Sequence, residues 1–317
     1  MGFVPHFRLR WMALNRVSSP AAKALSAQYP ETLTLMSGNL LSEESMRKVF
    51  EEAQTSFGGV WGVFCVLAFP GLGANADGEE TQGKILASLA SEYNVSSYIF
   101  SSVERGGEKD DDRPDILMQD RYAKVKIEHR IRRLGEEKGF PWTILRPGFF
   151  MENYEGSIGS ITVSVLRSGL RPTTTVQLVG VDDIGHVAAG VFNNPDPFRH
   201  QILCVVGERS TMEEQEKAYK RATGRSIPAV PSFIARTLIA INGHTKHLIS
   251  DIERVHSIQE EGGPELETEA EIARARDAYP HLRSFESWAS DRTKDPKTAR
   301  KKSWNNVTIA KLASGQQ

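Results

Sequence analysis

Only two cysteines, Cys65 and Cys204, occur in 317 residues, each inside an apolar run. They read as reduced, buried, small hydrophobes, which excludes a disulfide framework, argues against a zinc site and favours a reducing intracellular compartment. No stretch approaches the ~18 consecutive apolar residues a membrane helix needs, and the arginine-rich start carries no signal-peptide apolar core. A soluble protein without membrane contact is expected, cytoplasmic first and nuclear second. The formal net charge of −1 gives no overall attraction to nucleic acid or acidic membranes. Eight histidines offer no metal set, because His244 and His247 form an isolated pair with no acidic or cysteine ligand nearby.

What is there is an alternation of short β-rich runs with helical patterns. Strands are predicted at Leu33–Met36, Gly62–Ala68, Ser97–Ser101 and Thr143–Arg146, and helices at Glu43–Gln54, Glu79–Tyr93 and Arg121–Lys138. Such alternation argues βαβ units and a parallel sheet covered on both faces. After Tyr154 the pattern mixes short strands (Val176–Val179, Ile202–Val206) with helices at Ile184–Phe192, Thr211–Ala222 and one long helix near Pro231–Gln259. Gly106–Pro114 and Gly262–Pro264 suit loops. Beyond Ser290 the chain is polar and basic without periodicity, as a disordered tail would be. A length of 317 residues suits one α/β domain with an intimate lobe. The expected division is 1–154, 155–290 and a tail at 291–317.

The most informative stretch is 141–154, PWTILRPGFFMENY. Trp142 and Ile144 begin a strand that should end at Pro147, which cannot donate to a ladder, and Gly148 permits tight backbone geometry. Ligands of open α/β sheets lie outside the carboxyl ends of strands. Phe149, Phe150 and Asn153 follow at once, offering aromatic faces beside an amide.

This segment closely resembles the strand-to-loop passage of the NmrA-like family, atypical short-chain dehydrogenase/reductases. Further matching pieces run in family order: NRVSSPAAKALSAQ (15–28), GNL (38–40), GVFCVLAF (62–69), QGKILASLA (82–90), YIFSSVE (98–104), AKVKIEHRIRRLG (123–135), VDDIGHVAAGVF (181–192), TGRSIP (223–228) and LRSFESW (282–288). The resemblance implies a Rossmann-type doubly wound parallel sheet with a smaller mixed α/β substrate-side lobe. It also implies a dinucleotide cofactor, and the roles its members fill in transcriptional regulation and nitrogen metabolite repression.

A nicotinamide-binding domain of this type opens with a buried strand and a glycine-rich turn, whose amides and helix N-terminus meet the pyrophosphate. The sequence holds neither. Trp11–Leu14 already resembles the family's second strand, and Gly71-Leu-Gly73 follows a later one. An incorrect start or splice in a predicted gene explains this better than adaptive loss, because removing a central strand exposes two ladder edges. The chain as written should bind dinucleotide poorly.

On the resemblance, the cofactor falls to Arg16, Asn39, Leu40, Ala68, Phe69, Ser101, Ser102, Lys124, Pro147, Gly148, Phe149, Phe150 and Asn153. Arg16, at a strand end near the adenosine ribose, would hold a 2′-phosphate and so favour NADP, with NAD as the second choice. Its bland reading is a solvated arginine. Asn39 suits an adenine edge or a simple Gly-Asn turn equally well. Ser101 and Ser102 stand where the reductase serine would, and equally where serines cap strand ends.

Two lysines compete. Tyr122 and Lys126 satisfy Tyr-x-x-x-Lys, in which the ammonium lowers the tyrosine's pKa for proton transfer. Lys124, however, precedes the apolar stripe Ile127, Ile131, Leu134 by one turn, and the family pattern Lys-x-x-Ile/Val-Glu falls on Lys124, Ile127 and Glu128. Lys126, ~200° further round the helix, should face away as a solvated charge. The position four before Lys124 is Asp120, so no tyrosine stands ready as the acid. Two functions follow from the resemblance: a dinucleotide-responsive regulator that binds another protein, or an NADPH-dependent reductase of the isoflavone-reductase type. In the reductase, Lys124 would be the acid/base, with Phe149, Phe150 and the Pro231–Thr237 region around a small apolar carbonyl or enone.

Overall fold

The computed structural model describes residues 11–14, 19–67, 76–262 and 267–294; for 11–14 and residue 21 only the backbone is described. In chain order the elements are β1 (Trp11–Leu14), α1 (Pro20–Gln28), β2 (Leu33–Met36), α2 (Glu43–Phe57), β3 (Gly62–Cys65), α3 (Asp77–Glu92), β4 (Ser97–Ser101), α4 (Gln119–Lys138) and β5 (Trp142–Pro147). Then come β6 (Phe149–Phe150), a 3-10 turn (Met151–Tyr154), α5 (Gly156–Gly169), β7 (Thr175–Val179), α6 (Val181–Asn193), β8 (Gln201–Val205), β9 (Glu208–Thr211) and α7 (Met212–Thr223). The remainder is helical: α8 (Ser232–Ile241), α9 (Gly243–Gly262), α10 (Glu267–Ala278) and α11 (Phe285–Lys294).

Strands β3, β4, β5 and β8 form a parallel sheet in that order. The sheet is buried on both faces, which is why β4 and β5 carry nearly continuous apolar sequence. Alternate residues serve opposite cores: Tyr98 and Phe100 pack with Phe50, Leu86 and Ile127 of α2, α3 and α4, whereas Ile99 and Leu145 pack with Ile184, Val187 and Ala275 of α6 and α10. The strand pair β1–β2 is parallel and separate, and among the described residues no strand joins it to β3. A mixed sheet, β6-β7-β9, with β7 parallel to β6 and antiparallel to β9, supports the second lobe. Its core gathers Tyr154, Leu166, Leu178, Phe285 and Trp288.

Strand β5 ends at Pro147, as expected; the Pro147 carbonyl accepts from the Glu104 amide at 2.9 Å, and the Gly148 amide donates to the Val205 carbonyl at 3.1 Å. Two expectations are corrected. The long helix near 231–259 is two helices. Asn242 breaks it with φ −108° and ψ 114°, and its side-chain oxygen accepts from the amides of His244 and Thr245, an N-cap for α9. The tail does not begin at 291: α11 runs to Lys294, tied down by Arg292 Nη2 on Glu152 at 2.9 Å and Arg292 Nε on Glu155 at 2.8 Å.

Candidate functional site

The carboxyl ends of β4 and β5 and the early turns of α4 carry Ser101, Ser102, Pro147 and Lys124 of the predicted residues. Gly83 on α3 is the contact point of the two helices, since a Cβ there would lie 2.5 Å from Ile127 Cδ1. That close approach places Glu79, one turn earlier on α3, against Lys124, one turn earlier on α4. Their side chains form an ion pair with exposures of 2% and 14%. Burial pushes the Glu79 carboxyl up, Lys124 draws it partly back, and Asp120 raises it again. At the end of β3 the Cys65 thiol is pushed up to about 11 by burial.

Lys124 therefore points inward, as its phase predicts. Lys126 is half-exposed, yet it is not simply solvated: its Nζ is 2.9 Å from Glu80 and 4.7 Å from the centre of the Tyr122 ring. Those residues, with Asp77 and Gln119, line a cleft of about 360 Å³.

Behind the strand ends lies a buried ion network that sequence reading missed. Glu128 receives Arg105 (2.9 Å to each oxygen) and Arg146 Nη2 (2.6 Å), and the Ser102 hydroxyl donates to the same carboxylate. Arg105 also forks onto Asp111 at 2.6 and 2.7 Å, and Arg146 reaches Glu108 at 2.6 Å and Glu271 at 3.4 Å. Both guanidinium side chains are at most 1% exposed. Burial works to raise the Glu128 carboxyl, but Arg146 and Arg105 beside it win and hold it far below the usual carboxylate range. The one available signal was Glu128 itself, the last residue of the Lys-x-x-Ile-Glu pattern.

The remaining candidates divide. Ser101 is buried at the end of β4. Asn39 makes an Asx turn, its Oδ1 accepting from the Leu41 amide at 3.0 Å, and Leu40 is core. Gly148 has its own steric reason, since a Cβ there would lie 2.6 Å from the Gln177 carbonyl of β7. Phe149 and Phe150 are successive strand residues, so they serve opposite sides. Phe149 meets Tyr154 edge-on at 6.0 Å, and Phe150 packs with Ile99 and Leu145. Asn153 is half-buried on the 3-10 turn. Beside it Glu152, also unforeseen, accepts from the Val181 amide and Trp288 Nε1 at 3.1 and 3.2 Å. Arg16, Ala68 and Phe69 lie outside the described residues.

The fold is that of NmrA and of sugar-nucleotide epimerases. A crystal structure of NmrA, a negative transcriptional regulator, superposes with a TM-score of 0.62 at 19% identity, covering 93% of this chain and 90% of that one. NmrA in complex with NADP gives 0.60 at 17% identity, over 92% and 90%. The NmrA-like family domain-containing oxidoreductase FrzB of Cladobotryum sp. is 26% identical over 212 residues, 58% of this chain. The match spans 61% of that relative's length. The model of the NmrA-like family matches residues 6–289, and the chain belongs to that family.

Proposed function

We propose that this protein is a regulator that responds to a nicotinamide dinucleotide, NADP(H) in preference to NAD(H), and acts by binding a protein partner rather than by turning over a substrate. The observation that carries this reading is the state of the three positions a reductase would use. Asp120, not a tyrosine, stands four residues before Lys124, Lys124 is engaged by Glu79, and the Ser102 hydroxyl is committed to Glu128. Among the described residues no tyrosine or serine hydroxyl hydrogen-bonds the lysine. NmrA has been crystallised with NAD and with NADP, which supports a dinucleotide here.

The residues fit that cofactor unevenly. At the nicotinamide-ribose side, Lys124 offers a donor, and Glu79 Oε2 is buried without a hydrogen-bond partner among the described residues. At the pyrophosphate side, the 317 residues contain no Gly-x-x-Gly-x-x-Gly, the pattern whose backbone amides hold that group in such domains. We accordingly read the dinucleotide affinity as weakened. A bound dinucleotide would supply hydride chemistry only to a site with a proton donor in place; here Lys124 binds and orients.

Regulation requires different partner affinities in the bound and empty states. Partner capture by immobilised full-length protein, with and without NADPH, tests it: capture that changes with cofactor while NADPH is not consumed is the expected result. Stoichiometric NADPH oxidation with a panel of carbonyl, enone and quinone substrates overturns it. That outcome would favour the second reading, a reductase, whose supporting observation is Tyr122 and Lys126 meeting in one cleft.

A further inference from the structure

We propose that Glu79 is the positioning residue of Lys124, and that the two work as one carboxylate–ammonium dyad gripping a vicinal diol. Lys124 Nζ donates to one ribose hydroxyl and Glu79 Oε2 accepts from its neighbour. This rests on the reading that a dinucleotide's ribose reaches Lys124, and deepens it by naming a second residue and the chemical group it selects.

Three observations carry the inference. First, the pair is built rather than incidental. Gly83 and Ile127 let α3 and α4 close on each other, and the first turn of α3 and the second turn of α4 then present Glu79 and Lys124 to each other. Second, Glu79 is half satisfied. Oε1 takes the Lys124 ammonium, whereas Oε2 is buried and has no hydrogen-bond partner among the described residues. A buried carboxylate oxygen without a donor is costly, and such atoms mark a place where a donor belongs. Third, the surroundings select what that donor can be. Asp120 on α4 already works against negative charge at Glu79, so a phosphate is disfavoured. Lys124 supplies the one positive charge the carboxylate needs. A neutral hydroxyl that donates to Oε2, with a second hydroxyl accepting from Nζ, completes both groups without adding charge. Water can fill that place until the diol displaces it.

Two measurements on the full chain test the proposal. Saturation-transfer NMR compares nicotinamide mononucleotide with nicotinamide, which lacks the ribose. Glu79→Gln and Lys124→Ala should each weaken the mononucleotide by at least about tenfold, the loss of one hydrogen bond to a charged group. The double variant should be no worse than either single one, Glu79→Asp should recover part of the loss, and nicotinamide should be indifferent to all of them. The second measurement needs no ligand. A double-mutant cycle in urea unfolding with Glu79→Gln and Lys124→Ala should show coupled losses, because either change alone removes the same ion pair.

Equal weakening of nicotinamide and the mononucleotide makes Glu79 merely structural and overturns the dyad while leaving the dinucleotide reading standing. Strictly additive losses in the cycle overturn the pairing itself. Coupled losses with no mononucleotide contact at millimolar concentration overturn both the diol role and the dinucleotide reading, leaving an ion pair that only packs two helices.

Discussion

Replacing Glu128 by glutamine asks how much stability the buried ion network contributes. The change keeps shape and volume and removes one charge from between two guanidinium groups that are 1% and 0% exposed. Arg105 retains its fork to Asp111, and Arg146 retains Glu108 and a longer contact to Glu271. The loss should therefore fall at the lower end of the ~3–5 kcal/mol seen when one member of a buried pair is removed, about 3 kcal/mol. That is a large share of the ~5–15 kcal/mol by which a domain is stable. Urea unfolding at pH 7 reads it as a lower midpoint at unchanged slope. The pH dependence gives a second check. The Glu128 carboxyl is depressed in the fold, so its contribution is fully present above the unfolded value of roughly 4.3 and is lost as pH falls toward the folded one. Wild type and variant should thus converge only in acid. A destabilisation under about 1 kcal/mol at pH 7 would refute the reasoning and show that the remaining carboxylates suffice.

Other outcomes follow from single contacts. Gly148→Ala forces a methyl group to 2.6 Å from the Gln177 carbonyl, a backbone neighbour that cannot rotate away, and should lower stability by about 1–3 kcal/mol in thermal unfolding. Lys126→Ala removes a half-exposed pair with Glu80 and should shift stability by no more than ~0.5 kcal/mol by urea titration; a larger loss would mean that Lys126 is more than a surface partner. Burial pushes the Glu271 carboxyl up to about 7. The folded state therefore holds a proton that the unfolded chain has released, and stability should fall as pH rises from 5 to 7. Glu271→Gln should flatten that slope in unfolding curves taken across the window. Arg16→Ala should weaken NADPH more than NADH in calorimetric titration, since only the former offers a 2′-phosphate; equal losses would make Arg16 structural.

The parts of the fold that were legible in the sequence are those governed by local periodicity. Ser97–Ser101 is a strand at the predicted residues, and Ile127, Ile131 and Leu134 form the buried stripe that turns Lys124 inward. The break at Asn242 was missed because apolar residues continue on both sides of it, while the decisive event is a side-chain cap on two amides. Phe149 and Phe150 looked like one stacking surface, but strand alternation sends them to different cores. The partners of Arg146 lie 18, 38 and 125 positions away, and Glu79 lies 45 from Lys124. No local pattern reports contacts of that separation; they exist only once the helices close over the sheet.

Arg146 gives this molecule a mechanical property. Its one side chain is bolted to α4 through Glu128, to the 104–114 segment through Glu108 and to α10 through Glu271, and its backbone is the next-to-last residue of β5. A partner that pushed on α10 would have to strain the Glu271 contact or drag the end of β5 with it, and Pro147, Gly148 and Phe149 follow without slack. A load applied to the outer helix layer thus arrives at the rim of the candidate site through a chain of buried hydrogen bonds.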